Sequence, residues 1–101
     1  MSKCKITVLK RVVHQDLIDQ FMEPGGVTVP CPAFTEGQEF IVDDYPGEDF
    51  CDAAWNDIYK AYLALAKGGS FSPWMRDEKT MIACCSDGIR PVVFKLERLD
   101  D

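Results

Sequence analysis

The stretch Thr80-Met81-Ile82-Ala83-Cys84-Cys85-Ser86-Asp87-Gly88-Ile89-Arg90-Pro91-Val92-Val93-Phe94-Lys95-Leu96-Glu97-Arg98 decides the fold. In its second half Val92, Phe94 and Leu96 alternate with Val93, Lys95 and Glu97. Successive side chains of a strand point to opposite faces, so this period of two predicts a strand with one dry face and one wet face. Thr80 to Cys85 form a second apolar run, and residues 86–90 carry the Asp-Gly chemistry of a turn. The whole reads as a β-hairpin, with arms at 80–85 and 91–98. A sheet with one dry face needs a cover, and the rest of the chain has to supply it.

The cover lies just upstream. From Asp52 to Lys67 the residues Ala54, Trp55, Ile58, Tyr62, Leu65 and Ala66 recur at i, i+3, i+4 and i+7, the spacing of a helix with one apolar stripe. Asp52, with Glu48 and Asp49 before it, suits the positive end of the helix dipole, and Lys67 suits the negative end. Gly68-Gly69 supplies the stop. Further upstream, residues 4–13 read as a strand and 14–22 as a short helix bearing Leu17, Ile18, Phe21 and Met22. Residues 23–37 read as a proline-rich loop, and 38–43 as a strand with Phe40 and Val42 on one face. The order β-α-β-α-β-β predicts an α+β fold: one domain over 1–101, with a small, mainly antiparallel sheet of about four strands, one long helix and one short helix.

The 101 residues are 47% hydrophobic and 28% charged, enough for one core and too ordinary for disorder. A net charge of −6 opposes a phosphate backbone, so nucleic acid is not the expected partner. Lys3, Lys5, Lys10 and Arg11 fall on a strand, where they would point to both faces and solvate its ends. No window reaches the ~18 apolar residues of a membrane span, and the first residues lack the apolar core of a signal peptide. The expectation is a cytoplasmic protein with no membrane partner. Five cysteines, an odd number, are then reduced thiols or metal ligands, rather than a disulfide framework.

Those thiols are the candidate chemistry. Cys31 stands between Pro30 and Pro32, Cys51 opens the long helix, and Cys84 and Cys85 are adjacent at the end of a strand. Alternation sends Cys84 and Cys85 to opposite faces, so a single site takes one of them unless the strand ends or bulges there. Free amides at a helix start favour a thiolate at Cys51, while Glu48, Asp49 and Asp52 oppose it. A metal site would combine Cys31, Cys51 and one or both of the adjacent pair. The paired C-x2-C spacing of zinc or iron–sulfur sites is absent from the sequence. Cys4 reads as a small core residue. His14, the single histidine, would be needed for a Cys/His pair, or else sits as a cap. Asp87 and Arg90, beside the adjacent cysteines, are the polar groups of a candidate pocket. Asp87-Gly88 alternatively makes only the turn. Phe71, Trp74 and Met75 in the loop 70–79 form a lid on the core or a partner surface.

Taken together, Lys5-Ile6-Thr7-Val8-Leu9-Lys10-Arg11, Cys31-Pro32, Glu36-Gly37-Gln38-Glu39-Phe40, Phe50-Cys51-Asp52-Ala53-Ala54-Trp55 and Met81 to Lys95 resemble a family of small uncharacterised proteins of anaerobic bacteria and archaea. The Cys-Cys-x-Asp-Gly-x-Arg-Pro end is the most specific part of that resemblance. It implies a stand-alone cytoplasmic domain, and cysteines shared at Cys31, Cys51 and Cys84, but no reaction. Three readings of function stay open. One is a binding domain with a site of Cys31, Cys51, Cys84, Cys85, Asp87, Arg90 and Trp74, taking a metal, a small molecule or a protein partner. The second is a thiol-dependent redox or transfer enzyme using Cys51 or Cys84. The third is an interaction module using the loop 70–79.

Overall fold

The computed structural model describes residues 1–26 and 29–99; the part of the expected 23–37 loop at 27 and 28 lies outside them. Strands β1 (Cys4–Arg11), β2 (Glu39–Val42), β3 (Thr80–Cys84) and β4 (Val92–Arg98) form one sheet in the order β2-β1-β4-β3. Every neighbouring pair is antiparallel. Helices α1 (Gln15–Phe21) and α2 (Asp52–Ala66) complete the order β-α-β-α-β-β, so the expected α+β architecture is the observed one.

Alternation explains the layering. Cys4, Ile6 and Val8 of β1, Val42 of β2, and Val92, Phe94 and Leu96 of β4 are all buried on one face. The register sets Ile6 opposite Leu96 and Val8 opposite Phe94, which keeps these side chains in one layer. Helix α2 covers that layer with Ala54, Ile58, Tyr62, Leu65 and Ala66. The other face is charged and half-exposed. Lys5 pairs there with Glu39 at 3.6 Å, and Lys95 with Glu97 at 3.2 Å. Such exposed pairs add solubility more than stability.

Three features depart from the expectation. The strand expected over 4–13 ends as a ladder at Arg11, and a bulge shifts its register between Val8 and Lys10. Single bonds from the Val12 amide to the Pro91 carbonyl, and from the His14 amide to the Ile89 carbonyl, carry the chain on toward α1. The four apolar residues expected on the short helix, of which α1 holds Leu17, Ile18 and Phe21 and Met22 is the C-cap, do not share a fate. Ile18 is buried, but Phe21 is 77% exposed, because a seven-residue helix at the rim has only one turn facing the core. Thirdly, the loop 29–38 is not merely a surface connection. Phe34 is buried and packs edge-on against Phe50 at 5.0 Å, Phe94 at 5.1 Å and Phe40 at 6.1 Å between ring centroids.

The C-terminal end of α2 is closed by a Schellman turn. Gly68, at φ 93°, donates to the Leu65 carbonyl, and Gly69 donates to the Ala64 carbonyl. Lys67 stands at the C-cap, and a second cation, Arg98, also serves this negative end. Its guanidinium reaches across from β4 to donate to the Leu65 carbonyl at 2.9 Å and to the Gly69 carbonyl at 2.8 Å. The register of β4 thereby fixes where the helix ends.

Candidate functional site

Three of the five cysteines meet at one cavity of about 320 Å³. Cys31 comes from the loop before β2, Cys51 from the N-cap of α2, and Cys85 from the residue after β3. Phe34, Ala53, Ala54 and Val92 add apolar wall, and Asp57, Ser86 and Asp87 form a polar side.

Each thiol is placed by a separate local device. Cys51 takes extended backbone angles (φ −64°, ψ 123°) as the residue that leads into α2, and its side chain makes no capping bond. That frees the thiol to face the cavity. Cys31 is held through its backbone: the Arg11 guanidinium donates to the Cys31 carbonyl at 3.1 Å and to Glu36 Oε1 at 2.8 Å. Arg11 therefore staples the loop 29–38 to β1, rather than only solvating the strand end. Cys85 continues the β3–β4 ladder by one residue. Its amide donates to the Val92 carbonyl at 3.1 Å, and the Val92 amide donates back to Cys85 Sγ at 3.3 Å. The sulfur is thus held on the helix side of the sheet.

The adjacent pair is split as alternation requires. Cys85 packs against the core cluster, while Cys84 is exposed and shares its orientation with Ile82 on the outer face. Cys84 does not line the cavity; nor do Arg90 and Trp74. Trp74 is 73% exposed, so the expected site shrinks on that side. Of its loop, Phe71 packs against the core and acts as the lid. Cys4 is fully buried under α2, and burial pushes its thiol pKa up, with Arg98 opposing. His14 occupies the N-cap of α1 without a side-chain cap bond and lies outside the cavity lining, so it has no place beside these thiols.

The acidic side is more ordered than its exposure suggests. Asp57, on α2, accepts the Ser86 amide at 2.7 Å through Oδ2, which ties the hairpin turn to the helix. Asp87 accepts the Arg90 amide at 2.9 Å and the Ile89 amide at 2.8 Å, both through Oδ1. These two amides hold the Asp87 carboxyl below its ordinary pKa range, the Arg90 amide contributing most. Asp87 is therefore both the turn residue and part of the cavity lining. Asp57 and Phe34 were not among the candidates from sequence. One reads as an ordinary polar-face helix residue, and the other is hidden in a proline-rich segment.

The arrangement bears on the metal expectation. A zinc–thiolate tetrahedron has bonds of ~2.3 Å and needs its sulfurs clustered. Among the described residues no three His, Cys, Asp or Glu side chains are grouped to hold a metal ion. No protein-family model, curated protein or solved structure matches this chain. Among the described residues no helix is long and apolar enough to cross a membrane.

Proposed function

We propose that this chain is a binding domain for a small organic molecule that sits in the three-thiol cavity. The observation that carries the reading is convergence: Cys31, Cys51 and Cys85, from three separated segments, line the same about 320 Å³ space. That space lies at the small end of ligand pockets, about ten water molecules in volume, and so suits a metabolite-sized ligand. Apolar wall from Phe34 and Val92 supplies burial, and the Asp57–Ser86–Asp87 side supplies orientation. The reading places the protein in a reducing, cytoplasmic setting, where these thiols stay free. It also takes the family resemblance of the Cys84–Pro91 segment as membership in that group of small proteins of anaerobes.

Native mass spectrometry of anaerobically purified protein tests this. The expected result is a species heavier than the 11.4 kDa chain by one small molecule, lost in Ala53→Phe, which fills the cavity from α2. In the same sample Cys31, Cys51 and Cys85 react with iodoacetamide more slowly than in Ala53→Gly protein stripped of ligand. An unliganded chain whose three thiols resist iodoacetamide as fully as Cys4 does would sink the reading.

A further inference from the structure

Which small molecule the cavity prefers follows from the side on which Cys85 stands. Asp57 Oδ2 is bonded to the amide of Ser86, the next residue, and Asp87 follows one residue later. Two exposed carboxylates therefore share the cavity lining with Cys85, each fixed by backbone amides. Each uses one oxygen for those amides, and among the described residues the other oxygen meets no protein donor. None of the residues lining the cavity is Lys, Arg or His; Arg90, outside the lining, is the cation whose charge reaches Asp87, which leaves Asp57 as the stronger selector. The Val92 amide, donating at 3.3 Å, holds Cys85 Sγ in place.

Building on the cavity reading above, we infer that Cys85 is an attachment site for small aminothiols, formed by exchange with their disulfides, and that Asp57 and Asp87 select the ammonium group. In the exchange the Cys85 thiolate, its proton released to solvent, attacks one sulfur of the disulfide. A bond forms between Cys85 Sγ and that sulfur while the original S–S bond breaks. The second half leaves as a thiolate carrying the electron pair and takes a proton from solvent. Cys85 is oxidised to the mixed disulfide, and one half of the reagent is reduced to free thiol. The ammonium group is drawn by the field of the two carboxylates, which raises the local concentration of the reagent at the cavity. A neutral disulfide gains nothing from that field, and an anionic one is repelled.

The chain contains its own control. Cys84 is adjacent in sequence and exposed on the other face of the sheet, away from the cavity. Reduced protein is treated in parallel with cystamine, bis(hydroxyethyl) disulfide and dithiodipropionate, and adducts at Cys84 and Cys85 are quantified by peptide mass spectrometry. The expected order at Cys85 is cystamine fastest and dithiodipropionate slowest. Cystamine leads the neutral reagent by about tenfold at low salt, and the ratio shrinks toward one in ~1 M salt. Asp57→Asn, which keeps an acceptor for the Ser86 amide, cuts that preference several-fold at Cys85 and leaves the ratio at Cys84 unchanged. Equal rates for the three reagents at Cys85, or the same preference at Cys84, overturn the inference while leaving the cavity reading standing. A Cys85 that reacts with none of the three, together with silent Cys31 and Cys51, removes both.

Discussion

Arg11, outside the cavity, and Asp87, on its rim, show how much of this site depends on single side chains. Arg11 links β1 to the Cys31 carbonyl and to Glu36, so the position of one thiol is set by a guanidinium on another element. Lysine keeps the charge but cannot make the planar fork. Arg11→Lys should therefore raise the iodoacetamide reactivity of Cys31 several-fold, with that of Cys84 unchanged, and lower stability by about 1 kcal/mol. Asp87 makes a pH prediction. Its pKa in the folded chain is lowered by the Arg90 and Ile89 amides. Its contribution is thus fully present above the unfolded value of ~3.9 and is lost as pH falls through that value toward the folded one. Asp87→Asn retains a carbonyl acceptor for the turn but cannot ionise. Urea unfolding should show wild type more stable than the variant at pH 6, with the gap closing on acidification below about pH 4. A gap independent of pH would show that the turn, not the charge, carries the effect.

Among the elements, helix α2 and the loop 29–38 bear the most. The end of α2 leaves no room beside Gly69: a Cβ there would stand 2.7 Å from the Ala64 carbonyl oxygen that accepts the Gly69 amide. Gly69→Ala should cost about 1–3 kcal/mol in urea unfolding, because the obstacle is backbone and cannot turn aside. The loop is anchored by Phe34, whose ring meets those of Phe40, Phe50 and Phe94. Phe34→Ala should cost about 3–5 kcal/mol and open the thiol cavity to larger reagents. Trp74 is the contrast, since a ring 73% exposed contributes little to the folded state. Trp74→Ala should change stability by no more than about 0.5 kcal/mol. A large loss there would mean that Trp74, like Phe71, closes the core.

At the scale of the whole molecule, sequence and structure agree where periodicity speaks. The alternation of Val92, Phe94 and Leu96, and the helical stripe from Ala54 to Ala66, fix both layers because burial of one face leaves no other register. The site was legible as residue types and not as a shape. Cys31, Cys51 and Cys85 do share a space, but nothing in their spacing states that they stand around it rather than bond to one ion. Nearness along the chain misleads in the other direction. Arg90 lies five residues after Cys85 yet is not part of the lining, because the turn between them diverts it. Phe34 was hidden by its context: prolines on either side of Cys31 mark a loop, and only the tertiary fold shows that the loop dips into the core. Asp57 was hidden by its ordinariness, a charge on a helix whose partner is a backbone amide on a distant hairpin.

The central pair of the sheet joins the two ends of the described chain: Cys4 lies opposite Arg98 and Val8 opposite Phe94, with every other element between them in sequence. Contacts that span so much chain carry a large loop-closure cost and form late in folding. The β3–β4 hairpin and α2 need only nearby residues, so the expected order has β1, with Arg11 and the Cys31 loop it carries, docking last. Before that docking Cys4 and Cys31 lack their folded surroundings and can meet the other thiols. Refolding in air should yield scrambled disulfide species, and refolding with excess reductant a single native one. The difference, read by non-reducing electrophoresis, should be abolished in a variant with all five cysteines replaced by serine or alanine. In oxygen the chain is thus most vulnerable before it is folded, through the same thiols that the finished structure sorts into a buried one, an exposed one and three around a cavity.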